Sequence, residues 1–169
     1  MFTNDTIDTD ALPRFEAVPF IPIHPDYWKV TLIGIGIFFV LVAAGLGALF
    51  YLNPYASDYA LWLLIAYAIL LAGTTFFSRM AFRRKGYAFR EHDVLFRSGV
   101  ISLRTIVIPY NRVQHVALHE GYVARQFGLA EIQVFTAGGS GSELEIPGIP
   151  KDKAEDIKQL LMGKIRTAL

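Results

Sequence analysis

The sequence predicts a membrane-spanning helical hairpin followed by a small antiparallel β domain that a carboxy-terminal helix closes. Val30 to Leu52 is a run of twenty-three residues without a charged side chain, and a second apolar run covers Tyr59 to Phe77. A helix needs about 20 apolar residues to cross the roughly 30 Å hydrocarbon core of a bilayer. Residues 53–58 are too few for anything but an antiparallel turn. Buried helices of soluble proteins are the alternative, but they are usually shorter and carry a polar stripe.

Basic residues at the ends of the two runs predict that both termini lie in the cytoplasm and that the chain sits in the inner membrane. Loops rich in Lys and Arg resist translocation. The 53–58 turn contains neither, whereas Lys29 adjoins the first run. Four basic residues follow the second run: Arg79, Arg83, Arg84 and Lys85.

The same four basic residues are the candidate contacts for lipid headgroups. A well-placed Lys or Arg at an anionic membrane surface contributes about 1 kcal/mol. A role in topology with non-specific lipid contact is the simpler interpretation, and a selective lipid site is the alternative.

Composition divides the chain into an amino-terminal cytoplasmic tail (1–29), the hairpin (30–77, with spans 30–52 and 59–77) and a cytoplasmic domain (78–169). The tail is rich in acidic residues and proline, which predicts an extended segment; residues 15–23 are a candidate for lying along another surface. From residue 79 onward there are fourteen Lys and Arg against nine Asp and Glu, an excess too diffuse to indicate nucleic-acid binding. The lack of cysteine excludes disulfides, thiolate metal sites and cysteine nucleophiles.

Alternating apolar and polar residues from Gly86 onward predict six or seven short antiparallel strands. Within them, residues 122–127 can make one helical turn that Gly128 ends with a positive φ, and 138–142 form a hairpin turn. Asp152, with Glu155 three residues later, predicts the start of the closing helix. The apolar stripe of that helix is Ile157, Leu160, Leu161, Ile165 and Ala168.

Three segments carry a resemblance to a known family. Residues 108–116 (Ile-Pro-Tyr-Asn-Arg-Val-Gln-His-Val), 125–130 (Arg-Gln-Phe-Gly-Leu-Ala) and 136–139 (Thr-Ala-Gly-Gly) resemble the bacterial pleckstrin-homology-like (PH-like) membrane proteins of the YdbS type. Those proteins pair a two-span hairpin with a cytoplasmic PH-like domain, an order that matches residues 25–165. The resemblance implies a PH-like fold for 78–169 and a non-enzymatic protein that often works beside a larger homologue with several PH-like domains. It implies no catalytic residue.

Small residues recur along one face of each predicted span. Gly36, Ala43 and Gly47 share a face of the first, and Ala68 and Ala72 are four residues apart in the second. Small residues let helix backbones approach closely, so these faces are expected to pack the hairpin or to join it to a second protein. Neither span contains Asp, Glu, Lys, Arg or His, which counts against a proton or ion path.

Polar residues of the β domain offer few candidate sites. Arg112 and Arg125 are candidates for a partner-facing surface, with local structural roles in a turn and a short helix as the preferred alternative. Arg90 and Arg97 flank Glu91 and Asp93 and are expected to pair with these acids or to flank the sheet, which disfavours a phosphoinositide pocket.

Metal and cofactor sites are not predicted. His115 and His119 are four residues apart, and on a strand that spacing covers about 13 Å, too far for one metal ion. The glycine-rich residues 138–142 lack the Lys and the following helix of a phosphate-binding loop.

The sequence therefore predicts a membrane-anchored, non-enzymatic PH-like interaction or scaffold protein. Its expected partners are membrane lipids and either a partner membrane protein or further copies of itself. An anionic-lipid-sensing module at the inner leaflet and an accessory subunit of a transporter or channel are the alternatives. An enzyme acting on lipids would need a convergent acid, base or nucleophile cluster, and the candidate residues are scattered.

Overall fold

The computed structural model describes residues 18–136 and 144–168. Two long helices come first: α1 spans Tyr27–Leu52 and α2 spans Ala60–Arg84, and a short 3-10 turn, Pro54–Tyr59, connects them. Both helices are long and apolar enough to cross a membrane. Most of their large apolar side chains are exposed, whereas a helix in the core of a soluble protein would bury them.

The two helices extend beyond the predicted spans of 30–52 and 59–77. The helix α1 already includes Tyr27 to Lys29, and α2 continues without interruption through Arg84. The basic residues that follow the second apolar run, up to Arg84, therefore lie on a rigid helix rather than in a loop.

Large side chains hold the hairpin together. The rings of Phe39 and Tyr67 meet edge to face with their centroids 5.4 Å apart. The Tyr67 hydroxyl also donates a hydrogen bond of 3.1 Å to the Phe39 carbonyl oxygen. Phe39 is consequently buried between the helices.

Small residues do not form this contact between the helices, which corrects one of their two expected roles. All five of them are exposed: Gly36, Ala43, Gly47, Ala68 and Ala72. At Gly36 and Gly47, no heavy atom of the neighbouring helix lies within 4 Å of the position that a Cβ would take. Phe39 and Tyr67 make the contact instead, and the hairpin leaves the small residues uncovered. Contact with a second protein stays a prediction.

The rest of the described chain forms two antiparallel sheets and two helices. In the first sheet, four strands are ordered β1 (Ile21–Pro22), β2 (Gly86–Phe89), β3 (Asp93–Ser98) and β4 (Arg104–Pro109). The second sheet is ordered β5 (Val113–His119), β6 (Leu129–Thr136) and β7 (Leu144–Pro150). A short helix α3 (Tyr122–Gln126) joins β5 to β6, and α4 (Lys151–Ala168) closes the domain. The fold is a PH-like domain carried on a helical hairpin, as predicted.

The core lies between the two sheets and α4. The strand β6 alternates inward and outward residues, as a half-buried strand does, and its Ile132 and Val134 are fully buried. From α4, Ala154 and Leu161 are fully buried.

Two details of α4 differ from the prediction. The helix begins at Lys151, directly after Pro150, so Asp152 lies in its first turn rather than capping it. Leu160 is 50% exposed and is not a core residue, because the domain covers the side of the helix on which Leu161 lies. The side chain of Ile165 lies outside the described residues.

The amino-terminal segment is attached to the β domain, which differs from the predicted tail of 1–29. Ile21 and Pro22 pair antiparallel with Tyr87 and Gly86, and Ile23 is buried in the core. Residues 15–23 were expected to lie along another surface, and the structure agrees for residues 18–23. Residues 15–17 lie outside the described part.

Other local predictions are confirmed. The helical turn after residue 121 forms as α3, and Gly128 follows it with a φ of 64°. His115 and His119 lie on strand β5, and the His115 ring stacks on Phe135 at 4.2 Å between centroids. The predicted turn at 138–142 lies outside the described residues.

Candidate functional site at the hairpin–domain junction

Both helices of the hairpin pass into the β domain almost without a linker. The chain leaves β1 and, after residues 23–26, enters α1, while a single residue, Lys85, separates α2 from β2. Tyr27 of α1 and Phe82 of α2 pack against the domain core. The hairpin and the domain therefore share one apolar contact.

Gly148 makes this close approach possible. Its φ is 68°, and its carbonyl oxygen accepts a 3.0 Å hydrogen bond from the His24 amide. A Cβ on Gly148 would lie 2.4 Å from Cγ2 of Ile23 and 2.8 Å from Cβ of Tyr27. The position thus combines a left-handed backbone with a contact too close for any side chain. Gly148 is not among the residues predicted from the sequence, although a glycine within a strand is a signal of close backbone approach.

The four basic residues after the second apolar run do not share one environment. The guanidinium of Arg79 lies over the Trp28 ring at 4.9 Å and over the Phe82 ring at 5.5 Å. Arg83 is exposed one turn further along α2. The guanidinium of Arg84 instead donates a hydrogen bond to the Val100 carbonyl oxygen.

Lys85 turns into the junction instead of toward solvent. Its ammonium lies 6.0 Å from the centre of the Tyr27 ring. Burial lowers the pKa of Lys85, and the Glu131 carboxylate partly opposes that shift. Arg79 and Arg83 therefore share a site that Arg84 and Lys85 do not, and lipid contact by any of the four remains a prediction.

A cleft of about 830 Å³, here called the junction cleft, opens between the basic ends of the hairpin and the β domain. Apolar surface lines most of it, and its accessible part comes from residues that include Ile21, Pro22, Trp28 and Phe82. Four basic side chains also line it: Lys29, Arg79, Arg83 and Lys153.

Among the described residues of the junction cleft, Asp26 is the one acid. Lys29 donates to its carboxylate at 2.6 Å, and this hydrogen bond is the main reason that the pKa of Asp26 lies below its usual value. The cleft therefore has an apolar floor and a net positive rim. Lys153 was not among the candidates from sequence, because no local pattern relates the start of α4 to the helices of the hairpin.

The family-like segment around residue 110 has a structural role. Tyr110 is buried, and its hydroxyl donates a 2.8 Å hydrogen bond to the Arg90 carbonyl. Burial, reinforced by the nearby Asp93 carboxylate, raises the pKa of Tyr110 to about 12. The Arg90 side chain pairs in turn with Asp93, with Nε 2.6 Å from Oδ1. The expected pairing of Arg90 with the acidic turn is confirmed, and Arg97 instead lies over the Phe20 ring at 4.3 Å.

Arg112 and Arg125 lie on separate elements, and both side chains are exposed. Arg112 ends the 3-10 turn Tyr110–Arg112, and Arg125 lies in α3. A partner-facing role for them stays a prediction. Within residues 18–136 and 144–168, no group of three or more His, Cys, Asp or Glu side chains is placed to hold a metal ion.

Two apolar helices joined to two antiparallel sheets and a closing helix define the class of a PH-like domain on a helical hairpin. The family model described as "Bacterial PH domain" matches residues 30–165, and the chain belongs to that family. The curated "UPF0699 transmembrane protein YdbS" of Bacillus subtilis (strain 168) is 28% identical over 72 residues, which are 43% of this chain and 43% of that protein. The matched region thus spans less than half of this relative. No solved structure matches the chain. The predicted YdbS-type family is confirmed.

Proposed function

We propose that this chain is a non-enzymatic, membrane-anchored PH-like interaction module that assembles with a partner membrane protein or with copies of itself. The observation that carries the proposal is the outward face of α1 formed by Gly36, Ala43 and Gly47, which the hairpin leaves uncovered. Helices in a bilayer associate through such small residues, because close backbone approach replaces the missing hydrophobic driving force.

A groove between the two helices supports the same proposal. It has a volume of about 380 Å³ and is lined by apolar side chains that include Phe38, Leu46, Leu63 and Leu70. The described part of the chain does not fill it. A helix of a partner that packs along the hairpin would bury this surface.

The direct attachment of the β domain to the hairpin also favours a role in binding a neighbouring protein over a role in bringing the chain to the membrane. A domain attached to its hairpin by Tyr27, Phe82 and a single connecting residue is already held at the bilayer. Lipid affinity is therefore not needed to bring it there, and a fixed orientation suits contact with a neighbour in the plane of the membrane.

The proposal includes a topology in which the hairpin crosses the inner membrane and both termini are cytoplasmic. Because the chain has no cysteine, single cysteines can be placed at Asp58, in the 3-10 turn, and at Lys158, on the exposed side of α4. An impermeant thiol reagent applied to intact spheroplasts is expected to label D58C and to label K158C only after permeabilisation. Labelling of K158C on intact spheroplasts would reverse the topology.

Larger side chains on the small-residue face of α1 test whether that face mediates assembly. Gly36→Ile combined with Gly47→Ile should shift the protein in mild detergent from a larger species toward the monomer, because the added side chains hold a neighbouring backbone away. Multi-angle light scattering coupled to size-exclusion chromatography measures the mass.

A matched control is available on the same helix. Gly34 and Gly45 are also exposed, and each lies two residues, or about 200° around α1, from its counterpart Gly36 or Gly47. Gly34→Ile with Gly45→Ile should leave the larger species intact. A wild-type protein that is strictly monomeric would contradict the proposal, as would equal dissociation of both double variants.

A further inference from the structure

We propose that the junction cleft binds an anionic phospholipid, with the phosphate on its basic rim and the glycerol and first acyl carbons on its apolar floor. The inference goes beyond the proposed assembly, which uses the outward face of α1 and the groove between the helices. It rests on the proposed membrane crossing for one point, the depth of the cleft in the bilayer.

The cleft lies where the hairpin leaves its apolar segments. Trp28 stands just before the first uncharged run, and Arg79 just after the second. Tryptophan and basic side chains are typical of the headgroup level, because each combines an apolar body with a polar end. The walls of the cleft therefore lie at the depth at which lipid phosphates and glycerol groups occur.

The basic rim has the chemistry of a phosphate site. Lys29 pairs with Asp26, and the remaining cations come from two separate elements, α2 and α4, instead of forming a stripe along one helix. The ring contacts of Arg79 with Trp28 and Phe82 fix the plane of its guanidinium. A guanidinium held in this way can bind a phosphate through two parallel hydrogen bonds at a small cost in side-chain entropy.

Asp26 does not cancel this charge. Its carboxylate is occupied by Lys29 at 2.6 Å, which leaves Arg79, Arg83 and Lys153 in excess around the cleft. The remaining charge is positive and favours an anionic over a zwitterionic headgroup.

The apolar floor selects a lipid over a soluble phosphate. Trp28, Phe82 and Ile21 offer hydrocarbon surface to a ligand seated below the rim, and a free inorganic anion would leave that surface in water. The volume of about 830 Å³ is also within the usual range of about 300–1,000 Å³ for small-molecule sites.

Tryptophan fluorescence offers a direct test, because the chain has two tryptophans and Trp28 lines the cleft. The full chain carrying Trp62→Phe, in detergent, is titrated with phosphatidylglycerol brominated on its acyl chains and, separately, with brominated phosphatidylcholine. Phosphatidylglycerol is expected to quench Trp28 at a several-fold lower mole fraction. The Trp28→Phe protein, which keeps Trp62 at the other end of the hairpin, should show no such preference.

Variants that remove basic residues test whether the preference for phosphatidylglycerol arises in the junction cleft. Arg83→Gln with Lys153→Gln should weaken it by about fivefold for each cation removed. The control, Arg104→Gln with Lys158→Gln, removes the same charge from exposed sites outside the cleft and should keep it.

Equal quenching of Trp28 by the two lipids would overturn the proposal. So would an equal loss in the cleft and control variants, since that result indicates a general surface potential. Gly36→Ile with Gly47→Ile should retain the lipid preference whether or not the protein assembles, so failure of this site and failure of the proposed assembly are distinguishable.

Discussion

Replacing Leu161 by alanine is expected to destabilise the β domain by about 2–5 kcal/mol. Leu161 is fully buried where α4 packs on the sheets. Its truncation removes apolar contacts and leaves a cavity that rigid strands close only in part. Hydrogen exchange of the β6 and β7 amides in the full chain measures the free energy of opening of the domain.

The adjacent residue provides the control for this prediction. Leu160 has the same side chain but is 50% exposed, so Leu160→Ala should change the opening free energy by about 0.5 kcal/mol or less. If the two variants lost equal stability, or if neither changed it, α4 would not close the core as described.

Replacing Gly148 by alanine is expected to loosen the junction between the hairpin and the domain. The left-handed backbone at this position costs a non-glycine residue about 1–2 kcal/mol. The methyl group would also lie within 3 Å of Ile23 and Tyr27, and such overpacking costs about 1–3 kcal/mol. Exchange should therefore accelerate at the His24 amide, which donates to the Gly148 carbonyl, and at the Ile21 amide, since Pro22 of β1 has no amide hydrogen.

Gly121→Ala is the matched comparison. Gly121 has a φ of −61°, and apart from its chain neighbours no heavy atom of the described residues lies within 4 Å of the position its Cβ would occupy. Because Gly121 is the N-cap residue of the short helix α3, the added methyl should cost about 1 kcal/mol or less there and leave β1 protected. Normal protection of β1 in Gly148→Ala would mean that Ile23 and Tyr27 do not pack against β7 as the structure has them.

The hairpin and the strands were predictable because their signals are local. A span is recognised from its own length and polarity, and a half-buried strand from its alternation. The choice between Leu160 and Leu161 is different in kind. Both belong to the apolar stripe of α4, and only the position of the sheets decides which one is buried.

The docking of β1 on β2 was only partly predictable for a related reason. Two residues, Ile21 and Pro22, carry too little pattern to predict a strand, and their partners lie beyond the whole hairpin in sequence. Residues 15–23 could be recognised as a segment suited to lie on a surface, but not which surface.

The residues of the candidate site were also only partly predictable from the sequence. Arg79 and Arg83 were found because they follow an apolar run, and the structure places them together at the junction cleft. Arg84 and Lys85 carry the same signal but end elsewhere, because successive residues on a helix point about 100° apart and Lys85 lies past the end of α2. Lys153 could be assigned to the cleft only from the tertiary fold.

The near absence of a linker at either end of the hairpin has a mechanical consequence. Helices that are mismatched to a bilayer respond by tilting. Because α2 is followed after one residue by β2, and α1 is preceded by a strand paired with that same β2, neither helix can tilt alone without breaking the pairing of Ile21 with Tyr87. The hairpin and the two sheets are then expected to rotate together as one rigid body. For the proposed membrane-crossing hairpin, a change in bilayer thickness or a push from a neighbouring helix would therefore rotate the β domain.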